Sequence, residues 1–233
     1  MPYDMSSSAE LARILTLNGV PTYIESRHSN SNHWKIVGDG SLHDRSFGIE
    51  IVSPVLYNQE GFDTIRKVCN VLEANEVNVN KRCGFHVHVG ARGMHTNFFK
   101  NLLEMYTKHE RIIDSFMPIS RRRNNAQYAQ SMVGTQLASL FTPFAGRYYK
   151  LNLAAFFKNN RQTVEFRQHS GTTNAEKAIH WVEFCIAMVK AANVDVVSFN
   201  ESDCAALMTN LNVSDMCRAH FMKRVNDTES VAA

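Results

Sequence analysis

Two short segments with a period-two alternation constrain this chain more than any other feature. They are Cys83-Gly84-Phe85-His86-Val87-His88-Val89-Gly90 and Thr163-Val164-Glu165-Phe166-Arg167-Gln168-His169. Alternating apolar and polar residues predict half-buried strands, because successive side chains of a strand point to opposite faces. The first segment puts His86 and His88 on its polar face, and the second puts Glu165, Arg167 and His169 there. We therefore expect a sheet with one face that carries the residues able to do chemistry.

The bulk composition is that of an ordinary globular protein, with 233 residues, 44% of them hydrophobic and 20% charged. A net charge of +3 is too small to indicate a general nucleic-acid binder. The five cysteines are odd in number and show no Cys-x-x-Cys spacing, which argues against a disulfide framework or a zinc knuckle. The start carries no signal-peptide pattern, and polar residues interrupt the longest apolar stretch, near residues 186–197. We expect a cytoplasmic protein with reduced thiols, no membrane span and no nucleic-acid partner.

The pattern of the remaining chain predicts one α+β domain over residues 1–226, with a mostly antiparallel sheet, and a frayed tail over residues 227–233. A capping box at residues 7–10 begins the first helix, and Gly19 stops it. Further helices are predicted near residues 61–74, 97–116, 174–192, 202–210 and 214–225, and strands near residues 20–25, 34–37, 47–53, 83–90, 147–153 and 161–169. Residues 158–160 read as a hairpin turn between the last two strands.

The His86-x-His88 pair suits ligands of neighbouring ions, or one metal ligand beside one phosphate donor. Two histidines on a solvated sheet face explain the same spacing equally well. The Glu165-x-Arg167 pair sets a hard oxygen ligand beside a fixed fork of donors, which suits magnesium and phosphate. An ordinary ion pair across one face is the simpler explanation of those two residues alone.

Other charged residues are weaker candidates. Glu50 lies on the polar face of the strand near residues 47–53, and Asp39 precedes it in a Gly-Asp-Gly turn that needs no further explanation. The arginines of the Arg121-Arg122-Arg123 run, together with Arg147, could clamp phosphates, although such a run is commonly a solvated loop.

Taken together and in order, five segments resemble the amidoligase family, which is assigned to the glutamine synthetase-like carboxylate–amine ligases. The segments are Trp34-Lys35-Ile36-Val37-x-Asp39-Gly40-Ser41-Leu42, Gly48-Ile49-Glu50-Ile51-Val52-Ser53-Pro54, Cys83-Gly84-Phe85-His86-Val87-His88-Val89, Arg147-Tyr148-x-x-Leu151-Asn152-Leu153 and Val164-Glu165-Phe166-Arg167-Gln168. The similarity spans roughly residues 8–192. It implies a curved, mostly antiparallel sheet with helices packed on its outer face.

The resemblance also implies the chemistry of that sheet. ATP and two or more Mg²⁺ ions would bind on the concave face, where a carboxylate would be activated as an acyl phosphate and captured by an amine. By motif position, His86, Glu165 and Glu50 would be metal ligands, and His88 would lie near ATP. Arg167 would contact phosphate, Arg147 would contact phosphate or the substrate carboxylate, and Arg167, Arg147 and Glu165 would carry catalysis. Arg123, from the arginine run rather than from a family motif, is a further candidate for binding the nucleotide. The partners would be small-molecule or peptide carboxylates and amines.

The chain departs from the family at its start. Members usually open with a strand carrying Gly-x-Glu-x-Glu, whose acids help bind metal, whereas this chain begins Met1-Pro2-Tyr3-Asp4-Met5 and goes almost directly into a helix. Three explanations stay open: a truncated or misassigned start, a strand supplied by another chain, or a loss of catalysis. A missing strand would expose a sheet edge to a partner chain or a second copy. Three hypotheses follow: a ligase, a non-catalytic module that binds a nucleotide, metabolite or protein, and a hydrolase that uses His86, His88 and Glu165 around one transition metal.

Overall fold

The computed structural model describes residues 5–26, 31–39, 48–136, 139, 148–158, 162–194 and 200–230. They form two compact units, Met1–Cys83 with Thr172–Ile179, and Gly84–Gly171 with His180–Ala233. The elements are α1 (Met5–Leu17), β1 (Thr22–Ile24), β2 (Trp34–Asp39), β3 (Gly48–Val52), α2 (Asn58–Ala74), β4 (Val87–Gly90), α3 (Thr96–Ser115), β5 (Leu151–Asn152), α4 (Ala154–Lys158), β6 (Thr163–Phe166), α5 (Ala175–Ala192), α6 (Cys204–Asn210) and α7 (Asp215–Ser230). The presence of both helices and strands confirms the α+β class. The assignment of residues 1–226 to a single domain stays a prediction.

The first unit is a three-stranded sheet packed on two helices. Strand β1 runs parallel to β2, and β3 runs antiparallel to β2 with Val37 opposite Glu50. Its core joins apolar side chains of α1, α2 and β2, including Leu15, Val68 and Ile36. Because facing residues of an antiparallel pair share a face, Glu50 lies on the sheet face away from this core, as its alternation predicts.

The second unit contains a sheet of order β4-β6-β5 in which both strand pairs are antiparallel. Its core packs Val164 and Phe166 of β6 against α3 and α5, with Tyr106 and Trp181 among the fully buried side chains. In place of the single curved sheet that we expected, the described residues thus form two three-stranded sheets.

The connection between β5 and β6 differs from the predicted hairpin turn. The five-residue helix α4 lies between the strands, although they still pair antiparallel. The Asn152 side-chain oxygen accepts a hydrogen bond from the Ala154 N–H at 2.9 Å, which supplies the first turn with a partner. Two alanines then favour helix over a tight turn. The predicted turn residues Asn159 and Asn160 lie outside the described residues.

The C-terminal helix α7 continues to Ser230, beyond residue 226, where we expected a frayed tail to begin. Across the described ranges, no helix combines the length and the apolar content that a membrane crossing requires.

Candidate active site

A row of three polar side chains crosses the sheet of the second unit. The strand register sets His88 of β4 opposite Glu165 of β6, and Asn152 of β5 opposite Glu165 on its other side. Because side chains alternate along a strand, Val164 and Phe166 enter the core while the three polar residues share the opposite face. The predicted orientation of Glu165 relative to its apolar neighbours is therefore confirmed.

Four side chains converge on the Glu165 carboxylate. The Asn152 amide donates to Oε2 at 2.6 Å, and the Arg167 guanidinium donates to Oε1 at 2.5 Å. His86 Nδ1 and His88 Nε2 lie 3.4 and 3.7 Å from the same Oε1. The structure thus brings together four of the five polar residues that the two alternating segments were predicted to share, namely His86, His88, Glu165 and Arg167.

Electrostatics fix the charge states of this cluster. Burial opposes the charged form of Glu165, but the Arg167 guanidinium, the two imidazoles and the Asn152 amide together hold its pKa below the ordinary value. Burial lowers the pKa of His86 to about 4, and the nearby guanidinium of Arg167 adds to that shift. At neutral pH the cluster therefore holds an anionic carboxylate, a cationic guanidinium and a neutral His86 ring.

Further hydrogen bonds orient the side chains around Glu165. His88 Nδ1 shares a hydrogen bond with the Thr163 hydroxyl, with 3.1 Å between the two atoms. Arg167 Nε donates to the Tyr128 carbonyl at 3.2 Å, and its backbone N–H donates to the Lys150 carbonyl at 2.8 Å. Both ends of Arg167 are therefore fixed, which preorganises the guanidinium beside Glu165.

Gly84 allows the His86 ring to lie where it does. A Cβ atom added at Gly84 would lie 2.7 Å from His86 Nε2 and 3.7 Å from Arg121 Nη1. Real Cβ atoms do not approach other atoms so closely, so any larger residue would displace the imidazole. Since the added Cβ would lie close to both side chains, the buried Arg121 side chain is a neighbour of His86.

The sequence profile of one protein family, described as "putative amidoligase enzyme", matches residues 8–143 and 135–189. The chain belongs to this family. Comparison with curated proteins and with solved structures finds no match in either set. Membership in the amidoligase family suggests a ligase, and the matched ranges include every strand of the row around Glu165.

A buried polar network supports the row in this amidoligase-family chain. Lys150 is fully buried and donates to Glu110 at 2.8 Å and to Asp114 at 2.7 Å. Gln168 donates to the same Asp114 at 2.5 Å and accepts from the Tyr106 hydroxyl at 2.6 Å. The network ties α3 to the residues on either side of β5 and β6, and so holds the strands that carry Asn152, Glu165 and Arg167.

His169 does not share the polar face, contrary to our expectation. Strand β6 ends at Phe166, so the alternation no longer decides where later side chains point. His169 is buried against Trp181 and Phe85, and its Nδ1–H donates to the Ser170 carbonyl at 2.7 Å. Burial lowers its pKa to about 3, which suits a neutral core side chain.

The other predicted site residues lie elsewhere in the chain. Glu50 belongs to the first unit, on the face of its sheet away from the core. Arg147 lies outside the described residues. Arg123 has an exposed side chain and a positive φ of 48°, and its backbone N–H donates to Asp114 at 2.9 Å. Their roles stay predictions.

The sequence assigned no role to Asn152 and did not distinguish Arg121 from the other two arginines of its run. Asn152 carries a signal in its alternation with Leu151 and Leu153, which are both buried. Arg121 carries none, because three consecutive arginines look alike in sequence and only the fold buries the first of them.

Proposed function

We propose that this chain is an ATP- and Mg²⁺-dependent ligase that joins a carboxylate to an amine through an acyl phosphate, on a glutamine synthetase-like sheet. The net reaction converts acid, amine and ATP into amide, ADP and phosphate. The observation that carries the proposal is the buried Glu165 carboxylate among two imidazoles, an amide and a guanidinium, in a member of the amidoligase family.

The donor set of the row fits Mg²⁺ held jointly by protein and phosphate. Mg²⁺ prefers one or two carboxylates together with phosphate oxygens and water, rather than a cage built of protein alone. Glu165 supplies such a carboxylate in its charged form, and the lowered pKa of His86 leaves its ring neutral and able to ligate. ATP supplies the phosphoryl group that activates the acid, and Mg²⁺ neutralises charge on the phosphates.

The remaining residues would position and stabilise the reacting groups. Arg167, fixed by Tyr128 and Lys150, offers a preorganised cation where negative charge develops on a transferring phosphoryl group. His88 would donate to the nucleotide. We extend the proposal to Glu50 as a ligand of a second Mg²⁺, and to Arg147 and Arg123 as contacts for phosphate or the substrate carboxylate.

ADP release, measured with a panel of small-molecule and peptide acids and amines, tests this proposal. We expect turnover that needs all three substrates, and we expect Glu165→Gln to reduce it by about 10²-fold or more, because a buried group acting on the phosphoryl charge is lost. His86→Ala should also reduce it strongly.

Two surface variants provide matched controls. Glu104→Gln removes an exposed carboxylate from α3, and His95→Ala removes an exposed imidazole ahead of the same helix. Both should keep wild-type turnover. If Glu165→Gln and His86→Ala behave like these controls, the assignment of the active site is wrong.

One observation favours a second candidate, a non-catalytic module that binds a nucleotide, metabolite or protein. Both Glu165 oxygens already accept hydrogen bonds, from Asn152 and from Arg167, so a metal must compete with them. Calorimetry with ATP and Mg²⁺ separates the two functions: binding that is lost in Glu165→Gln, without ADP release for any acid and amine, favours the module.

The hydrolase with one transition metal is less well supported. Among the described residues, only one trio of His, Cys, Asp or Glu places its ligand atoms within 4.8 Å of one another, and it is not His86, His88 and Glu165. A single ion bound by all three would therefore require the side chains to rearrange.

A further inference from the structure

Helices α5 and α7 each carry a pair of metal-binding residue types three positions apart. The pairs are His180 with Glu183, and Cys217 with His220. Residues at i and i+3 lie on the same face of a helix, so the two side chains of each pair are neighbours on their helix. All four residues belong to the second unit, and none of them takes part in the row around Glu165.

The side chains of the two pairs lie close to one another. One ligand atom from each of His180, Glu183 and Cys217 lies within 4.8 Å of the others, and no other described trio of such residues does so. His180 Nδ1 is 3.8 Å from a Glu183 oxygen, and the Cys217 thiol donates to the His180 carbonyl at 3.6 Å. The rings of His180 and His220 have centroids 4.8 Å apart.

We propose that these residues form a Zn²⁺ site, with His180, Glu183 and Cys217 as ligands and His220 in the fourth position. Zinc takes nitrogen, thiolate and carboxylate ligands in tetrahedral geometry at about 2.0–2.3 Å. Donor atoms on one zinc are therefore about 3.3–3.8 Å apart, so the trio needs to contract by only about 1 Å. Two imidazoles on one zinc have ring centroids about 5 Å apart, close to the 4.8 Å that separates the rings of His180 and His220. Among the described residues the group with ligand atoms within 4.8 Å of one another does not include His220, so its side chain must turn to take the fourth position.

Zinc binding would require the Cys217 thiol to lose its proton. Cys217 is buried and protonated, since burial raises the pKa of its thiol. Binding forms a Zn–S bond and releases the thiol proton to solvent, and histidine ligates zinc as a neutral ring and glutamate as a carboxylate. The thiolate of Cys217 selects zinc over Mg²⁺, which binds oxygen ligands in preference to sulfur.

Besides its contacts with His180 and Cys217, Glu183 has a structural contact with Ser214. It accepts hydrogen bonds from the Ser214 N–H at 2.5 Å and from the Ser214 hydroxyl at 3.0 Å, and Ser214 in turn caps α7 by accepting from the Cys217 N–H at 3.2 Å. This contact explains why Glu183 lies at the start of α7. It does not explain the neighbouring imidazoles and thiol, and it leaves each carboxylate oxygen a second lone pair for a metal.

Metal titration of the chelator-stripped full chain tests the site, with Co²⁺ as the spectroscopic probe and Zn²⁺ as the competitor. We expect one Co²⁺ per chain with a near-ultraviolet thiolate-to-cobalt charge-transfer band, which one equivalent of Zn²⁺ abolishes. Cys217→Ser should lack the band. Glu183→Gln, which can still accept from Ser214, should bind at least tenfold more weakly with unchanged helix content. Zinc at a hundredfold excess over its Kd should lower the unfolding constant about a hundredfold.

Two controls separate this site from others. Cys69→Ser removes a buried thiol of α2, and the double variant His86→Ala/His88→Ala removes imidazoles of the candidate active site. Both should keep the band and the affinity. A wild-type chain without the band, or a Cys217→Ser variant that keeps it, overturns the proposal, whatever the outcome of the ligase assay.

Discussion

Removing the buried Lys150 charge should destabilise the second unit more than any change at its surface. Lys150 is fully buried and is the cation that binds both Glu110 and Asp114. In Lys150→Met, the Glu110 carboxylate keeps its bond from the Met132 N–H at 2.8 Å but loses its counter-charge. Breaking a buried pair by deleting one partner costs about 3–5 kcal/mol, because the remaining charge stays out of water.

Urea denaturation followed by tryptophan fluorescence measures this loss. Trp34 packs in the first core and Trp181 in the second, so a Trp34→Phe background makes the signal specific for the unit that contains Lys150. With a denaturant slope of about 2 kcal/mol/M, the expected loss moves the midpoint by about 1.5–2.5 M. Such a shift is a large share of a typical total stability of about 5–15 kcal/mol.

The double variant Lys150→Met/Glu110→Gln provides the control. It removes a buried anion together with the cation, so we expect it to be less destabilised than the single variant. The reasoning is refuted if Lys150→Met shifts the midpoint by less than about 0.5 M, equivalent to about 1 kcal/mol, or if the second substitution adds a further loss.

Two more predictions concern residues next to the row. Gly84→Ala should displace the His86 ring and reduce turnover by up to about 10²-fold, with little loss of stability. The control Gly90→Ala should be neutral, because its added Cβ would meet nothing within 4 Å. Equal NMR signals from the His86 imidazole in both variants would contradict this prediction. His169 has a pKa of about 3 when folded against 6.5 when exposed, so the unfolded chain binds the extra proton between these values and stability falls as pH drops below about 6.5. At pH 5 the loss from this residue is about 2 kcal/mol, and a His169→Gln variant should show a correspondingly flatter pH profile of unfolding free energy.

The sequence predicted the orientation of Glu165 because strand alternation is a local property. Val164 and Phe166 flank Glu165, and once they enter a core the carboxylate must face the other way, whatever the rest of the chain does. The same logic placed His88 and Glu50 correctly relative to the apolar residues beside them. The long helices were equally predictable, since α2, α3 and α5 bury apolar residues at helical spacing.

What the sequence could not supply are features that depend on where a strand stops and what packs behind it. The end of β6 at Phe166 turns His169 into a core residue, and nothing in the alternation marks that end. Burial of Arg121 and Lys150 likewise depends on partners far away in sequence, such as Asp114 for Lys150. The pairs His180/Glu183 of α5 and Cys217/His220 of α7 were not predicted to form a metal site, because neither pair alone is a recognised metal-binding motif.

The distances around Glu165 bear on the proposed roles of His86 and His88. Arg167 and Asn152 already donate hydrogen bonds to both oxygens of Glu165. His86 and His88 lie 3.4 and 3.7 Å away, beyond the 2.7–3.2 Å of a normal hydrogen bond, so they help to lower the pKa of the carboxyl without adding a hydrogen bond to it. A buried ion pair also contributes little net stability compared with apolar residues of the same volume. Two imidazoles held beside an anchored carboxylate therefore fit our proposal, in which His86 and Glu165 hold Mg²⁺ and His88 contacts the nucleotide.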